Sequence, residues 1–94
     1  MSTLHILNKP LSDGDCWRDC LASCADGDTL LLIESGVYGA AARPAELPSG
    51  CRFCALQADI EARGLKAEQL AAEIVDDTGF VALACKHSQT LSWF

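Results

Sequence analysis

The chain has 94 residues, half of them apolar, with thirteen acids against seven bases for a net charge of −6, and it carries six cysteines. That length predicts a single domain over residues 1–94, and the apolar share excludes a disordered chain. No apolar run approaches the roughly 20 residues of a membrane helix, Met1–Pro10 lacks the basic start and apolar stretch of an export signal, and net acidity repels phosphate backbones. The expectation is a soluble cytoplasmic protein that does not touch nucleic acid directly.

Leu4-His5-Ile6-Leu7 reads as a first strand, stopped by Asn8-Lys9-Pro10. Ser12 is the expected N-cap of a helix over Asp13–Ala25, with Asp13 and Asp15 favouring its dipole and Gly27 stopping it. Thr29–Ile33, without a charge, predicts a strand buried on both faces. Glu34-Ser35-Gly36 turns into a small-residue helix over Val37–Ala42, and Arg43–Gly50 is a loop with two prolines. Cys51–Leu56 predicts the third strand, Asp59 the cap of a short helix that Gly64 ends, and Lys66–Ala72 another helical piece. Glu73–Asp76 predicts a short strand, Thr78 the cap of a helix through His87, and Thr90–Phe94 a packed final strand. Strands alternating with helices imply an α/β fold, a mostly parallel sheet of about five strands with helices on both faces.

Cysteines dominate the candidate chemistry. A disulfide framework is not expected without an export signal, so the thiols read as reduced. Cys16, Cys20 and Cys24 rise along one side of the first helix. Relative to the stripe marked by Trp17 and Leu21, Cys24 falls on the buried face, Cys20 at its edge and Cys16 furthest toward solvent. Cys20 is therefore the thiol placed to be both held and reachable, as a nucleophile must be, although nearby acids such as Asp19 oppose a thiolate. Both readings, reactive and structural, stay open for it. Cys51-Arg52-Phe53-Cys54 has CxxC spacing, but on a strand the two side chains face opposite ways and cannot share a bond or a metal. His5 and His87 read as packed, hydrogen-bonded histidines. The acids Asp13, Asp15, Asp19, Asp26 and Asp28 form either a solvated face or a patch for a basic partner. Glu34 and Tyr38, following the central strand, are contact candidates. No glycine-rich phosphate loop occurs, so no cofactor is expected, and Cys85 with His87 is a poor second pair for the CxxC, so no metal is expected.

An ordered series of segments carries a resemblance: Leu4-His5-Ile6-Leu7-Asn8-Lys9, Leu31-Leu32-Ile33-Glu34-Ser35-Gly36-Val37-Tyr38, Asp59-Ile60-Glu61-Ala62-Arg63-Gly64, Gly79-Phe80-Val81-Ala82-Leu83 and Ser92-Trp93. Over essentially its whole length the chain resembles the TusB/DsrH family of sulfur-relay subunits. The resemblance implies a DsrE-like three-layer fold. It also implies a heterohexamer with TusC/DsrF-like and TusD/DsrE-like subunits, taking persulfide sulfur from a TusA-like donor and passing it to a TusE/DsrC-like acceptor. The end product would be 2-thiouridine at the tRNA wobble position. In such complexes the principal acceptor cysteine lies on the TusD/DsrE-like subunit, which leaves this chain an assembly role. Some DsrH-type members carry a cysteine just before a leucine in the first helix, and Cys20-Leu21 matches that position. The resemblance thus makes Cys20 a candidate secondary persulfide acceptor. Cys16 and Cys24 flanking it, and Ser35 where an acid is common, depart from the pattern. Two rivals remain: a DsrEFH-type sulfurtransferase subunit of sulfur oxidation with an active Cys20, and a small CxxC redox or zinc protein.

Overall fold

The computed structural model describes residues Met1–Phe94. Five strands form one all-parallel sheet: β1 (Thr3–Leu7), β2 (Thr29–Leu32), β3 (Arg52–Leu56), β4 (Glu73–Val75) and β5 (Gln89–Trp93), in the order β4-β3-β2-β1-β5. The α/β expectation holds in number, direction and approximate position of the strands.

The order dictates the layers. From β1 to β4 each strand is added on the same side of its predecessor, so right-handed crossovers place their connections on one face. That face carries α1 (Gly14–Ser23), a 3-10 segment over Glu34–Gly39, α2 (Gln57–Ala62) and a 3-10 turn at Ala67–Gln69. The chain then returns across the whole sheet through α3 (Asp77–Lys86) to lay β5 beside β1. Alternation along the strands divides the core accordingly. Leu7, Leu30, Leu32, Phe53 and Ala55 pack under α1 and α2 with Trp17, Leu21, Val37 and Ile60. Leu4, Ile6, Leu31, Cys54 and Val75 pack on the other face with Leu83 of α3.

Local departures have local causes. Asp13, not Ser12, caps α1, its carboxylate accepting from the Cys16 N–H at 3.3 Å. Likewise Asp76, not Thr78, caps α3 through the Gly79 N–H at 2.7 Å. The helix expected over Val37–Ala42 is a 3-10 segment starting earlier, at Glu34. It begins abruptly because the turn lies directly on the end of β1: the Ile33 N–H bonds the Leu7 carbonyl at 3.1 Å. A Cβ on Gly36 would drive into that same oxygen. Gly64, at φ 67°, does end α2 as expected. Asp59 does not cap α2, which already starts at Gln57. Phe94 is 65 % exposed, so packing at the C-terminus ends with Trp93.

Candidate functional site

The underside of α1 is where the expected chemistry lies. Trp17, Cys20, Leu21 and Cys24, at helical spacing, all face the sheet and are buried. Cys20 is 0 % exposed, which corrects its placement at a reachable edge. The physical reason is β5. It pairs outside β1 and brings Trp93 up against this side of the core. A wall of protein therefore stands where a helix wheel alone shows solvent. Cys16, one turn earlier, is half-buried, and its S–H donates to the Trp93 carbonyl at 3.8 Å. Cys85, on α3, is exposed.

Beneath Cys20 and Cys24 lies a small polar inset in the apolar layer. His5 is 1 % exposed and shares a 3.0 Å hydrogen bond between Nε2 and Oδ2 of Asp28. At its other nitrogen, Nδ1, it accepts from the Trp93 indole at 3.2 Å. An indole N–H only donates, so the ring proton resides on Nε2 and is given to Asp28. Asp28 also accepts the Thr3 N–H at 2.9 Å and the Ala25 N–H at 3.0 Å. Burial pushes its carboxyl up, but the bonds from His5, Thr3 and Ala25 outweigh that and hold it below the ordinary carboxylate range.

Ligand atoms of His5, Cys20 and Cys24 lie within 4.8 Å of one another. Cys51 neighbours Cys24 but lies outside that 4.8 Å group, its thiol donating to the Arg52 carbonyl at 3.6 Å. Neither Cys24 nor Cys51 is poised as a thiolate. The hydrogen bond with the Cys20 thiol, together with burial, pushes Cys24 up to about 12 despite an opposing bond from Cys51. Contact with Cys24 and burial raise Cys51 as well. Cys54 faces the opposite side of the sheet from Cys51, as the strand reading requires, and burial pushes it to about 11.

His87 is a packed histidine too. It is buried between the Thr29 hydroxyl and the Ser2 hydroxyl, each at 2.8 Å. Glu34 and Tyr38 are not brought to the thiols. Tyr38 is half-exposed under the Arg63 guanidinium, 5.9 Å from its ring centre. Glu34 holds a positive φ of 48°, and its N–H bonds the Asp59 carboxylate at 2.8 Å. That long-range use of Asp59 is invisible in the sequence. A groove of about 440 Å³ runs between α1 and the segment after β2, lined by Leu11, Trp17, Arg18, Leu21, Tyr38 and Arg43 among others. No cysteine lines it, so it gives no access to the thiol layer.

Comparison with known proteins decides the family. The family model described as "DsrH like protein" matches residues 12–90. The chain belongs to the DsrH-like family. Among curated relatives of this DsrH-like chain, Protein TusB of Enterobacter sp. (strain 638) is 40 % identical over 95 residues, covering 96 % of this chain and 99 % of the relative. Protein TusB of Photorhabdus laumondii is 39 % identical over 75 residues, covering 73 % of this chain and 78 % of the relative. Two solved structures share the fold. Protein Tm0979 from Thermotoga maritima superposes with a TM-score of 0.72 at 20 % identity, over 89 % of this chain and 92 % of that one. MTH1491 from Methanobacterium thermoautotrophicum, a protein of unknown function, gives 0.58 at 16 % identity, over 97 % and 96 %.

Proposed function

We propose that the chain is a subunit of a cytoplasmic TusBCD-like sulfur-relay complex. In this reading the complex carries persulfide sulfur from a TusA-like donor to a TusE-like acceptor for 2-thiolation of the tRNA wobble uridine. The observation that carries it is the 40 % identity to a protein named TusB across nearly the full length of both chains. The role within the complex is chiefly assembly, with TusC- and TusD-like subunits as the partners. Sulfane transfer needs a thiolate to attack the terminal sulfur of the donor persulfide, expelling the donor as its own thiolate. Cys20 is fully buried here. It serves as a secondary acceptor only if α1 lifts from β1 and β5.

The test is genetic and chemical. In a strain lacking its own TusB, this chain together with its cognate partners restores wobble 2-thiouridine, read by nucleoside mass spectrometry. Cys20→Ala restores it nearly as well. No restoration by the wild-type set contradicts the relay reading, and complete loss in Cys20→Ala makes Cys20 an obligatory carrier instead.

The description of the matched family favours one rival, a DsrEFH-type sulfurtransferase of sulfur oxidation in which Cys20 is active. Peptide mass spectrometry after persulfide loading separates the two. Added sulfur on Cys20 supports the rival, and an unmodified Cys20 rejects it.

A further inference from the structure

We propose that Cys20, Cys24 and Cys51 together with His5 form a zinc-binding site between α1 and the sheet. The inference goes beyond the relay reading and does not depend on it. Three separate segments supply the donors: the underside of α1, the middle of β1 and the residue entering β3. The His5, Cys20 and Cys24 ligand atoms already lie within 4.8 Å of one another, and the buried Cys51 thiol is the neighbouring fourth donor beside Cys24. Zn–S bonds of about 2.3 Å and Zn–N bonds of about 2.0 Å place tetrahedral ligands roughly 3.5–3.8 Å apart. His5, Cys20 and Cys24 therefore need to contract by about 1 Å, and Cys51, which lies outside that 4.8 Å group, must swing further in from its place beside Cys24. Three cysteines and one histidine are a recognised structural zinc set. Cys54, which completes the CxxC spacing, takes no part because it faces α3.

The surroundings of His5 strengthen the case. A ligating imidazole characteristically donates its second ring N–H to a carboxylate, which fixes tautomer and orientation. His5 does so to Asp28 at 3.0 Å, and Asp28 is itself pinned by the backbone N–H groups of Thr3 and Ala25. Nε2 being committed, His5 joins the metal through Nδ1 and gives up its 3.2 Å bond from the Trp93 indole. Each thiol loses its proton on binding. One Zn²⁺ thus replaces three protons, and the three thiolates leave the site with one net negative charge. Occupied in this way, Cys20 is withdrawn from sulfur chemistry.

The probe is Co²⁺, added to the full-length chain purified reduced and metal-free. One equivalent gives the intense visible bands of tetrahedral cobalt with sulfur-to-metal charge transfer in the near ultraviolet, and added Zn²⁺ abolishes them. Trp93 emission changes in a Trp17→Phe background. Cys24→Ser and Cys51→Ser each weaken the charge-transfer band by about a third, in line with the loss of one of three thiolates, while Cys54→Ser and Cys85→Ser leave it intact. Asp28→Asn weakens affinity roughly 10–100-fold. X-ray absorption of the zinc-loaded wild type counts three sulfurs and one nitrogen, which keeps the test independent of whether a variant folds. Weak octahedral bands, a band lost with Cys85→Ser, or an oxygen-dominated zinc shell overturns the proposal. A chain that binds cobalt as described yet supports no tRNA thiolation leaves the site standing and removes only the relay reading.

Discussion

Burial sorts the six cysteines into groups that one reagent distinguishes. Cys85 is exposed, Cys16 half-buried, and Cys20, Cys24, Cys51 and Cys54 are inside. Under native conditions iodoacetamide is expected to label Cys85 quickly and Cys16 slowly, leaving the other four until the chain unfolds. Rapid native labelling of Cys20, located by peptide mapping, would contradict its burial. Two titrating groups set the acid side of the stability profile. His87 is shifted down by burial and by Lys86, so the unfolded chain takes up its proton first. Its contribution is full above the unfolded value of about 6.5 and declines as pH falls below that. Asp28, also lowered, contributes fully above about 3.9 and is lost as pH falls through its folded value. Urea midpoints should therefore drop in two stages on acidification, and His87→Gln should flatten the first. An unchanged slope in that variant would show that His87 is not its source. Sequence reasoning found both histidines as packed groups, because their neighbours on strand or helix are apolar. It misplaced Cys20 because a helix wheel cannot show that β5 returns to pair beside β1.

At the scale of elements, stability depends on a few tight contacts. The turn after β2 leaves no room for a side chain at Gly36, whose missing Cβ would meet the Leu7 carbonyl. Gly36→Ala is expected to unfold the protein or lower its melting temperature sharply, since backbone, not a flexible side chain, must give way. A wild-type melting curve would disprove this close approach. The capping aspartates are worth less. Asp13→Ala and Asp76→Ala should each cost about 1 kcal/mol in denaturant titrations. Loss from Ser12→Ala or Thr78→Ala in place of these would reverse the cap assignments. The strands were legible because apolar runs bounded by polar or proline-containing turns have few alternatives. The caps were not, because Ser12 and Asp13, or Asp76 and Thr78, are equally able acceptors. The backbone angle at the first turn chooses between them. The small residues that predict a helix over Val37–Ala42 suit a 3-10 helix equally, so the sequence does not show the 3-10 segment at Glu34–Gly39.

For the molecule as a whole, the β4-β3-β2-β1-β5 order leaves both edges without a neighbour. It also leaves Leu11, Tyr38, Val81, Leu91 and Phe94 exposed, each more than 40 % accessible. No helix is long and apolar enough to cross a membrane. The thiol inset is buried and no cysteine lines the groove beside α1, which leaves Cys85 and the half-buried Cys16 as the accessible thiols. The relay proposal has the chain act chiefly through assembly with TusC- and TusD-like partners. The measurement closest to this claim is co-expression with its cognate TusC- and TusD-like subunits, followed by affinity capture through this chain alone and size-resolved mass analysis. The account predicts that both subunits co-elute in equal stoichiometry, and that Cys20→Ala leaves the complex intact. Elution of this chain by itself, with both partners present and folded, would contradict it.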